Sequence, residues 1–205
     1  MGKDVVLVFQ KNAILGKVKT RLAAGMGDLR AMEIYKHLTQ LTYSILEDVA
    51  APVWTYYSDF IPEIVNSPIG KSFVQEGRDL GERMAHAFAR SFESGMDKVV
   101  LIGTDCPTLQ SQHLNQAFEA LTHSDLVLGP ATDGGYYLIG MKRRADYLFE
   151  GITWSTSQVL SETLNVASQN GLTTTLLQEL NDIDTQEDWE RYTSQIEINS
   201  QPKLM

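Results

Sequence analysis

Short, continuously apolar stretches alternate along this chain with longer ones in which apolar positions recur every three or four residues. Residues 5–9, 53–57 and 98–102 are unbroken β-rich runs, the pattern of strands covered on both faces. Residues 71–75 form a weaker run of the same kind, 126–128 and 136–139 two more, split by a glycine-rich turn, and 173–177 a last one. Helical spacing follows Asp28, which is placed to cap a long helix bearing Met32, Tyr35, Leu38, Leu41, Ile45 and Val49. Over 79–92, Leu80, Met84, Phe88 and Phe92 stack at every fourth position. Ser111 is read as the cap of a helix with Leu114, Ala117, Phe118 and Leu121. Ser155 and Gln158 resemble a capping box opening a helix to about Gln169, and Thr185 begins a final one. Residues 10–27 read as a loop. Strands alternating with helices predict an α/β fold with a mostly parallel central sheet and helices on both faces. Residues 1–198 are expected to form a single domain, with 199–205 a frayed tail.

Composition narrows the function. With 205 residues, 43% of them hydrophobic, the chain can bury one full α/β core. A net charge of −9 argues against broad nucleic-acid or acidic-membrane binding, but leaves room for a local basic pocket that takes one phosphorylated small molecule. Cys106 is the only cysteine, which excludes an intrachain disulfide and a cysteine-rich zinc site. The opening MGKDVVLVFQK is too short in its apolar run for a secretory signal, and no stretch approaches the roughly 18 apolar residues of a membrane span. A cytoplasmic protein is therefore expected.

In open parallel sheets ligands bind beyond the carboxyl ends of the strands, so the segments after the strands are where chemistry is sought. Residues 10–22, QKNAILGKVKTRL, hold Lys11, Lys17, Lys19 and Arg21 with Gly16 among them. Such cations suit diphosphate oxygens, the plain alternative being a solvated basic loop. The segment lacks both the Walker pattern and the dinucleotide GxGxxG fingerprint. In GTDCP, residues 103–107, Asp105 follows an apolar strand and is placed either to hold Mg²⁺ or Mn²⁺ or to form a turn. Its neighbour Cys106 is read as a buried small residue rather than a nucleophile. GPATDGGYYLIG, residues 129–140, is a hairpin signal that can also wall a pocket. Within it Asp133 is the candidate base that would activate an acceptor, and Tyr136 and Tyr137 can stack on a sugar or base. In NDIDTQEDW, residues 181–189, Asp182 and Asp184 share one face of an extended segment, and one of them can reach a metal from the opposite side. In QEGRDLGERM, residues 75–84, Asp79 and Glu82 form a capping box, whereas Gly77 and Gly81 suggest close approach of a ligand or another backbone. The four histidines show no metal-ligand spacing, and Lys142, Arg143 and Arg144 read as a solvated turn.

Taken in order, KVKTRL, GRDLGERM, GTDCP, DGGYYLIG, GITWST and DIDTQEDW resemble the DUF2064 family, grouped with the GT-A-like nucleotide-diphospho-sugar transferases. Looser similarity extends to the phospholactate guanylyltransferases and the molybdenum-cofactor nucleotidyltransferases. The resemblance runs from Val5 to about Tyr192. It implies that the loop with Lys11, Gly16, Lys19 and Arg21 contacts donor phosphates, and that Gly77, Asp79 and Gly81 lie near the nucleoside. It further implies that Asp105 and one of Asp182 and Asp184, preferably Asp184, hold a divalent metal, Mg or Mn. Gly134, Gly135, Tyr136 and Trp154 would line the acceptor side. The chain departs from the family pattern where it carries Asn12-Ala13-Ile14-Leu15, since a proline is common between the first lysine and the glycine. The implied activity is a metal-dependent glycosyltransferase moving a sugar from a nucleotide-activated donor to a small-molecule acceptor. A nucleotidyltransferase acting on a phosphorylated small molecule, and a non-catalytic nucleotide-binding protein, stand as alternatives.

Overall fold

The run DVVLVFQ forms β1, Asp4–Gln10, and its Val5, Val6, Leu7 and Val8 are completely buried, so this strand is covered on both faces. It lies inside a seven-stranded sheet seen in a computed structural model that describes residues 3–63 and 70–200, with side chains described to residue 196. In chain order come α1 (Thr20–Met26), α2 (Asp28–Leu46), β2 (Val53–Tyr57), β3 (Gly70–Val74), α3 (Leu80–Glu93) and β4 (Lys98–Ile102). After these lie α4 (Ser111–Ala120), β5 (Leu126–Pro130), β6 (Tyr136–Met141), α5 (Val159–Gln169), β7 (Thr174–Leu176) and α6 (Gln186–Ser200). The strand order is β3-β2-β1-β4-β6-β5-β7. All neighbours pair in parallel except β6, which runs antiparallel to both β4 and β5.

Alternation along the strands sends side chains to two cores. Val5, Leu7, Trp54, Leu101 and Ile139 pack with Met84 and Phe88 of α3 on one face. Val6, Val8, Val100, Ile102 and Leu138 pack with Leu114, Ala117 and Phe118 of α4 on the other. The α/β reading with a mostly parallel sheet covered on both faces is what forms. A third cluster, Leu22, Ala31, Ile34, Leu38 and Ile183 backed by Trp189 and Tyr192, joins α1, α2 and α6 beside the strand ends. Among the described residues no helix is long and apolar enough to cross a membrane.

Several local expectations change. The segment 10–27 is not loop throughout, because Thr20–Met26 is helical. Asp28 is the first residue of α2 and not its cap; Gly27 holds that place at φ 81°, and the buried stripe is Ala31, Ile34, Tyr35, Leu38, Thr42 and Leu46. Gln110, not Ser111, caps α4, and its N–H is accepted by His113 Nδ1 at 3.0 Å. Ser155 forms no capping box: its φ of 63° turns the chain, and α5 starts only at Val159 after Gln158. The box at α3 forms with a shift of one residue. Asp79 Oδ1 accepts from Glu82 N at 2.9 Å, while Glu82 Oε2 accepts from Arg78 N at 2.9 Å. Thr185 does open α6, exchanging bonds with Asp188: Thr185 N donates to Asp188 Oδ2 at 2.9 Å and Asp188 N to Thr185 Oγ1 at 3.3 Å. Helix α6 continues to Ser200, and the rest of the expected tail lies outside the described residues.

Candidate active site

The carboxyl ends of β1 and β4 are adjacent, with Val8 paired to Ile102. The segments leaving these two strands are therefore brought together. After β7 the chain crosses the same ends in an extended run stitched by backbone bonds. Leu180 N donates to Pro130 O at 3.0 Å, Thr132 N to Leu180 O at 3.1 Å, and Ile183 N to Asp105 O at 2.9 Å. Because Ile183 is buried in the α1–α2–α6 cluster, the alternating Asp182 and Asp184 are held over the β4 and β5 ends, beside Asp105 and Asp133.

Lys19 closes this arrangement. Its side chain is only 4% exposed, and Nζ lies 2.8 Å from Asp105 Oδ1 and 3.6 Å from Asp184 Oδ1. It also donates to the carbonyl of Ile183. The backbone of Lys19 is left-handed, at φ 49° and ψ 45°, a conformation that costs a non-glycine residue about 1 kcal/mol and is tolerated when side-chain contacts over-determine it. Two residues on, Arg21 Nη1 donates to Asp184 Oδ2 at 2.7 Å, so both oxygens of Asp184 face a cation.

Asp182 is different. Its Oδ1 is buried and has no hydrogen-bond partner. Burial, followed by the proximity of Asp105 and opposed by Lys19, pushes its carboxyl up to about 7, and Asp133 and Asp184 add to the rise. Lys19 and Arg21 thus engage Asp105 and Asp184, while Asp182 and Asp133 lie near them without an ion pair of their own. Asp133, Asp182 and Asp184 line a cleft of about 360 Å³ together with Arg21, Thr132 and Arg191. Among the described residues no three His, Cys, Asp or Glu side chains form a ready metal cage. A hard divalent cation held by one or two carboxylates, with waters and substrate oxygens completing its shell, does not need one. The orphaned Asp182 oxygen and the partly exposed Asp105 and Asp184 fit such a cation.

Of the remaining candidates, Asp133 alone lines this cleft. Asp133 is exposed and oriented by Gly135 N, which donates to its Oδ1 at 2.9 Å. Lys11 and Lys17 are exposed, and the carbonyl of Lys11 accepts from Tyr35 Oη at 2.6 Å. Gly16 has φ 76°, and an added Cβ would rest in ordinary contact with Asp28 Oδ2 at 3.6 Å. At Gly77 and Gly81 the room left by the missing side chain is taken by the chain itself. An added Cβ at Gly77 would meet Arg83 N at 2.7 Å, and one at Gly81 the Trp154 indole Nε1 at 2.5 Å. Asp79 is exposed and engaged as the α3 cap. Gly134, at φ 90°, abuts the backbone of Ser157, and its carbonyl accepts from Leu160 N at 2.9 Å. Tyr136 and Trp154 each pack against the α3-side core and neither lines the acids' cleft, while Tyr137 is buried on the other face with its Oη donating to Gln178 O at 3.0 Å. Cys106 is buried and its thiol is pushed up to about 12 by desolvation.

Sequence reasoning missed Arg191 and Thr132, both lining the cleft. The signal for Arg191 was helical spacing: it follows Asp188 by three positions on a helix whose Trp189 and Tyr192 are turned into the core.

A family profile described as "Uncharacterized protein conserved in bacteria (DUF2064)" matches residues 58–156. No curated protein matches the chain. A crystal structure from Desulfovibrio desulfuricans G20, provisionally named a nucleotide-diphospho-sugar transferase, is 33% identical, with a TM-score of 0.90 over 98% of this chain and 90% of that one. The 4-diphosphocytidyl-2C-methyl-D-erythritol synthase of Anaerococcus prevotii DSM 20548 shares the fold at 10% identity, with a TM-score of 0.62 over 96% of this chain and all of its own. The inositol-1-phosphate CTP transferase of T. maritima does so at 14% identity, with a TM-score of 0.58 over 97% of each chain. With the profile match and a one-third identity sustained over nearly its whole length, this chain belongs to the DUF2064 family.

Proposed function

We propose that this protein is a glycosyltransferase that takes its sugar from a nucleotide-diphospho-sugar, works with Mg²⁺ or Mn²⁺, and passes the sugar to a small-molecule acceptor. One observation carries this conclusion: Asp105 and the Asp182–Asp184 pair, far apart in sequence, meet the cationic turn of Lys19 and Arg21 over the carboxyl ends of the strands. The provisional name of the relative from Desulfovibrio desulfuricans G20 supports the same class. The bound cation would supply charge compensation for the departing diphosphate. Arg21, 71% exposed and lining the cleft, spends one hydrogen bond on Asp184 and retains donors for diphosphate oxygens. Lys19 fixes Asp105 and Asp184 relative to each other. Asp133, whose Oδ1 accepts from Gly135 N, would take the acceptor hydroxyl's proton as the new glycosidic bond forms and the sugar–diphosphate bond breaks.

The test is a thermal-shift screen of nucleotide sugars and nucleoside triphosphates with Mn²⁺, followed by product analysis of the ligands that raise the melting temperature. Nucleoside diphosphate released from a nucleotide sugar is the expected result. Pyrophosphate released from a triphosphate would replace this conclusion with nucleotidyl transfer. Nucleotide binding without turnover, equal in wild type and Asp105→Asn and indifferent to Mn²⁺, would make the protein a non-catalytic binder.

A further inference from the structure

Two of the acids that the proposed cation needs, Asp105 and Asp184, are already neutralised from within. Lys19 Nζ stands between Asp105 Oδ1 and Asp184 Oδ1, and Arg21 holds the other oxygen of Asp184. No flexible surface lysine makes these contacts: the side chain is almost wholly buried, its ammonium also donates to the Ile183 carbonyl, and its backbone is held left-handed. In the same cleft, Asp182 Oδ1 is buried and unpartnered, so the site holds a cation-binding oxygen that Lys19 does not satisfy.

Resting on the reading of the site as metal-assisted, we infer that Lys19 is its resident counter-ion: it occupies the position between Asp105 and Asp184 in the free protein and competes with the divalent cation for it. Two positive charges cannot share that position closely, because like charges a few ångströms apart repel strongly in a partly dehydrated site. Metal alone therefore binds weakly. Diphosphate tips the balance in two ways, by adding oxygens to the metal's shell and by offering the lysine ammonium an alternative anion. Metal and diphosphate thus bind with positive coupling, and Lys19 is the positioning residue that sets it. In the absence of ligand, the same contact keeps the acids from repelling one another.

Mn²⁺ affinity, read by the loss of free-ion EPR signal with no turnover involved, tests this in wild type, Lys19→Met and Lys19→Arg. Lys19→Met should bind Mn²⁺ alone roughly tenfold or more tightly than wild type, because a like charge has left the site. It should also lose most of the gain that pyrophosphate confers on the wild type. Lys19→Arg, which keeps the charge, should stay weak. A merely structural lysine would not give this pattern, since its loss could only loosen the acids. If Lys19→Met does not fold, the wild type still decides. A protected lysine ammonium resonance, absent from Lys19→Arg, should shift when Mg²⁺ and pyrophosphate are added together. Mn²⁺ affinity equal in wild type and Lys19→Met, or an ammonium resonance unmoved at saturating Mg²⁺ and pyrophosphate, overturns the inference. Neither result touches the transferase conclusion, which stands or falls on nucleoside-diphosphate release.

Discussion

Trp154 lies where a side chain at Gly81 would have to go, its indole Nε1 2.5 Å and its Cε2 2.8 Å from a Cβ built on that glycine. This contact joins the first turn of α3 to the loop before α5, and through Phe149 the indole reaches the ring of Phe88 in the core. In an open helix, Gly81→Ala would gain about 1 kcal/mol of helix propensity. Here it forces a bulky, partly buried ring to move, an overpacking that typically costs about 1–3 kcal/mol. Gly81→Ala is expected to lower the urea midpoint. Trp154→Leu combined with Gly81→Ala should be less destabilised than the sum of the single variants, because the two positions share one space. A Gly81→Ala protein as stable as the wild type would show that the ring yields freely.

That contact also marks where sequence legibility stops. The strands 53–57 and 98–102 form at their expected bounds because each is short, rich in β-branched or aromatic residues and bounded by turn formers. The convergence of Asp105 with the Asp182–Asp184 pair follows from the rule that ligands gather beyond strand ends, and needs only the strand order to be realised. By contrast, α1 has no readable start, since its cap is a left-handed Lys19 without a capping side chain and its first turn holds no acid. The start of α5 is masked by a left-handed Ser155, a conformation no local pattern announces. Glycines at 77 and 81 signal only that something comes close; that the neighbour is the chain's own helix or Trp154 is a tertiary fact. Burial of Lys19 is likewise invisible, because its partners come from remote segments and a lysine-rich turn reads as solvated.

Stability should depend on pH through Asp125. Its carboxylate accepts from Thr173 N at 3.0 Å and Thr173 Oγ1 at 2.8 Å, tying the start of β5 to the entry of β7, with Lys142 Nζ 3.4 Å away. The Thr173 backbone N–H and hydroxyl, then Lys142, hold this carboxyl below its ordinary value. A depressed folded-state value means that the stabilisation is present above the unfolded carboxyl's range, near pH 4, and is lost as pH falls through the folded value. Asp125→Asn should therefore cost about 1–2 kcal/mol at pH 7, the scale of hydrogen bonds to a charged group on a side chain still 15% exposed. Denaturant midpoints of the two proteins should draw together as pH is lowered below 4. A gap that persists or widens in acid would contradict the assignment.

Cys106 sits one residue from Asp105 yet should be chemically silent. The thiol is buried, contacts Thr108 Oγ1 at 3.7 Å, and is raised to about 12 by desolvation and then by the Asp182 carboxylate. At pH 8 the reactive thiolate is then a very small fraction, whereas an unperturbed cysteine would be substantially ionised. Iodoacetamide labelling followed by mass spectrometry should show almost no modification of the native protein and full modification in denaturant. The labelling rate should follow unfolding when urea is varied. Rapid alkylation of the native state would show a far more accessible, more acidic thiol.

Asn12 stands in the turn that leads from β1 to Lys19, and its contacts make that turn rigid. The residue is 4% exposed. Its Oδ1 accepts from Asp59 N at 2.8 Å and Phe60 N at 3.2 Å, and its Nδ2 donates to Phe60 O at 2.8 Å. One amide thus clamps the turn after β2 against the segment that leads from β1 to Lys19. Asn12→Ala removes both halves of the clamp and frees backbone groups that water can partly recover, so a loss of about 1–2 kcal/mol is expected. Asn12→Asp keeps an acceptor for the two N–H groups but loses the donor to Phe60 O, and should fall between alanine and wild type. Hydrogen exchange tests the locality of the effect: the Asp59 and Phe60 amides should exchange faster in Asn12→Ala while those of β1 and β4 keep their protection. Uniform loss of protection across the sheet would mean instead that Asn12 supports the whole fold.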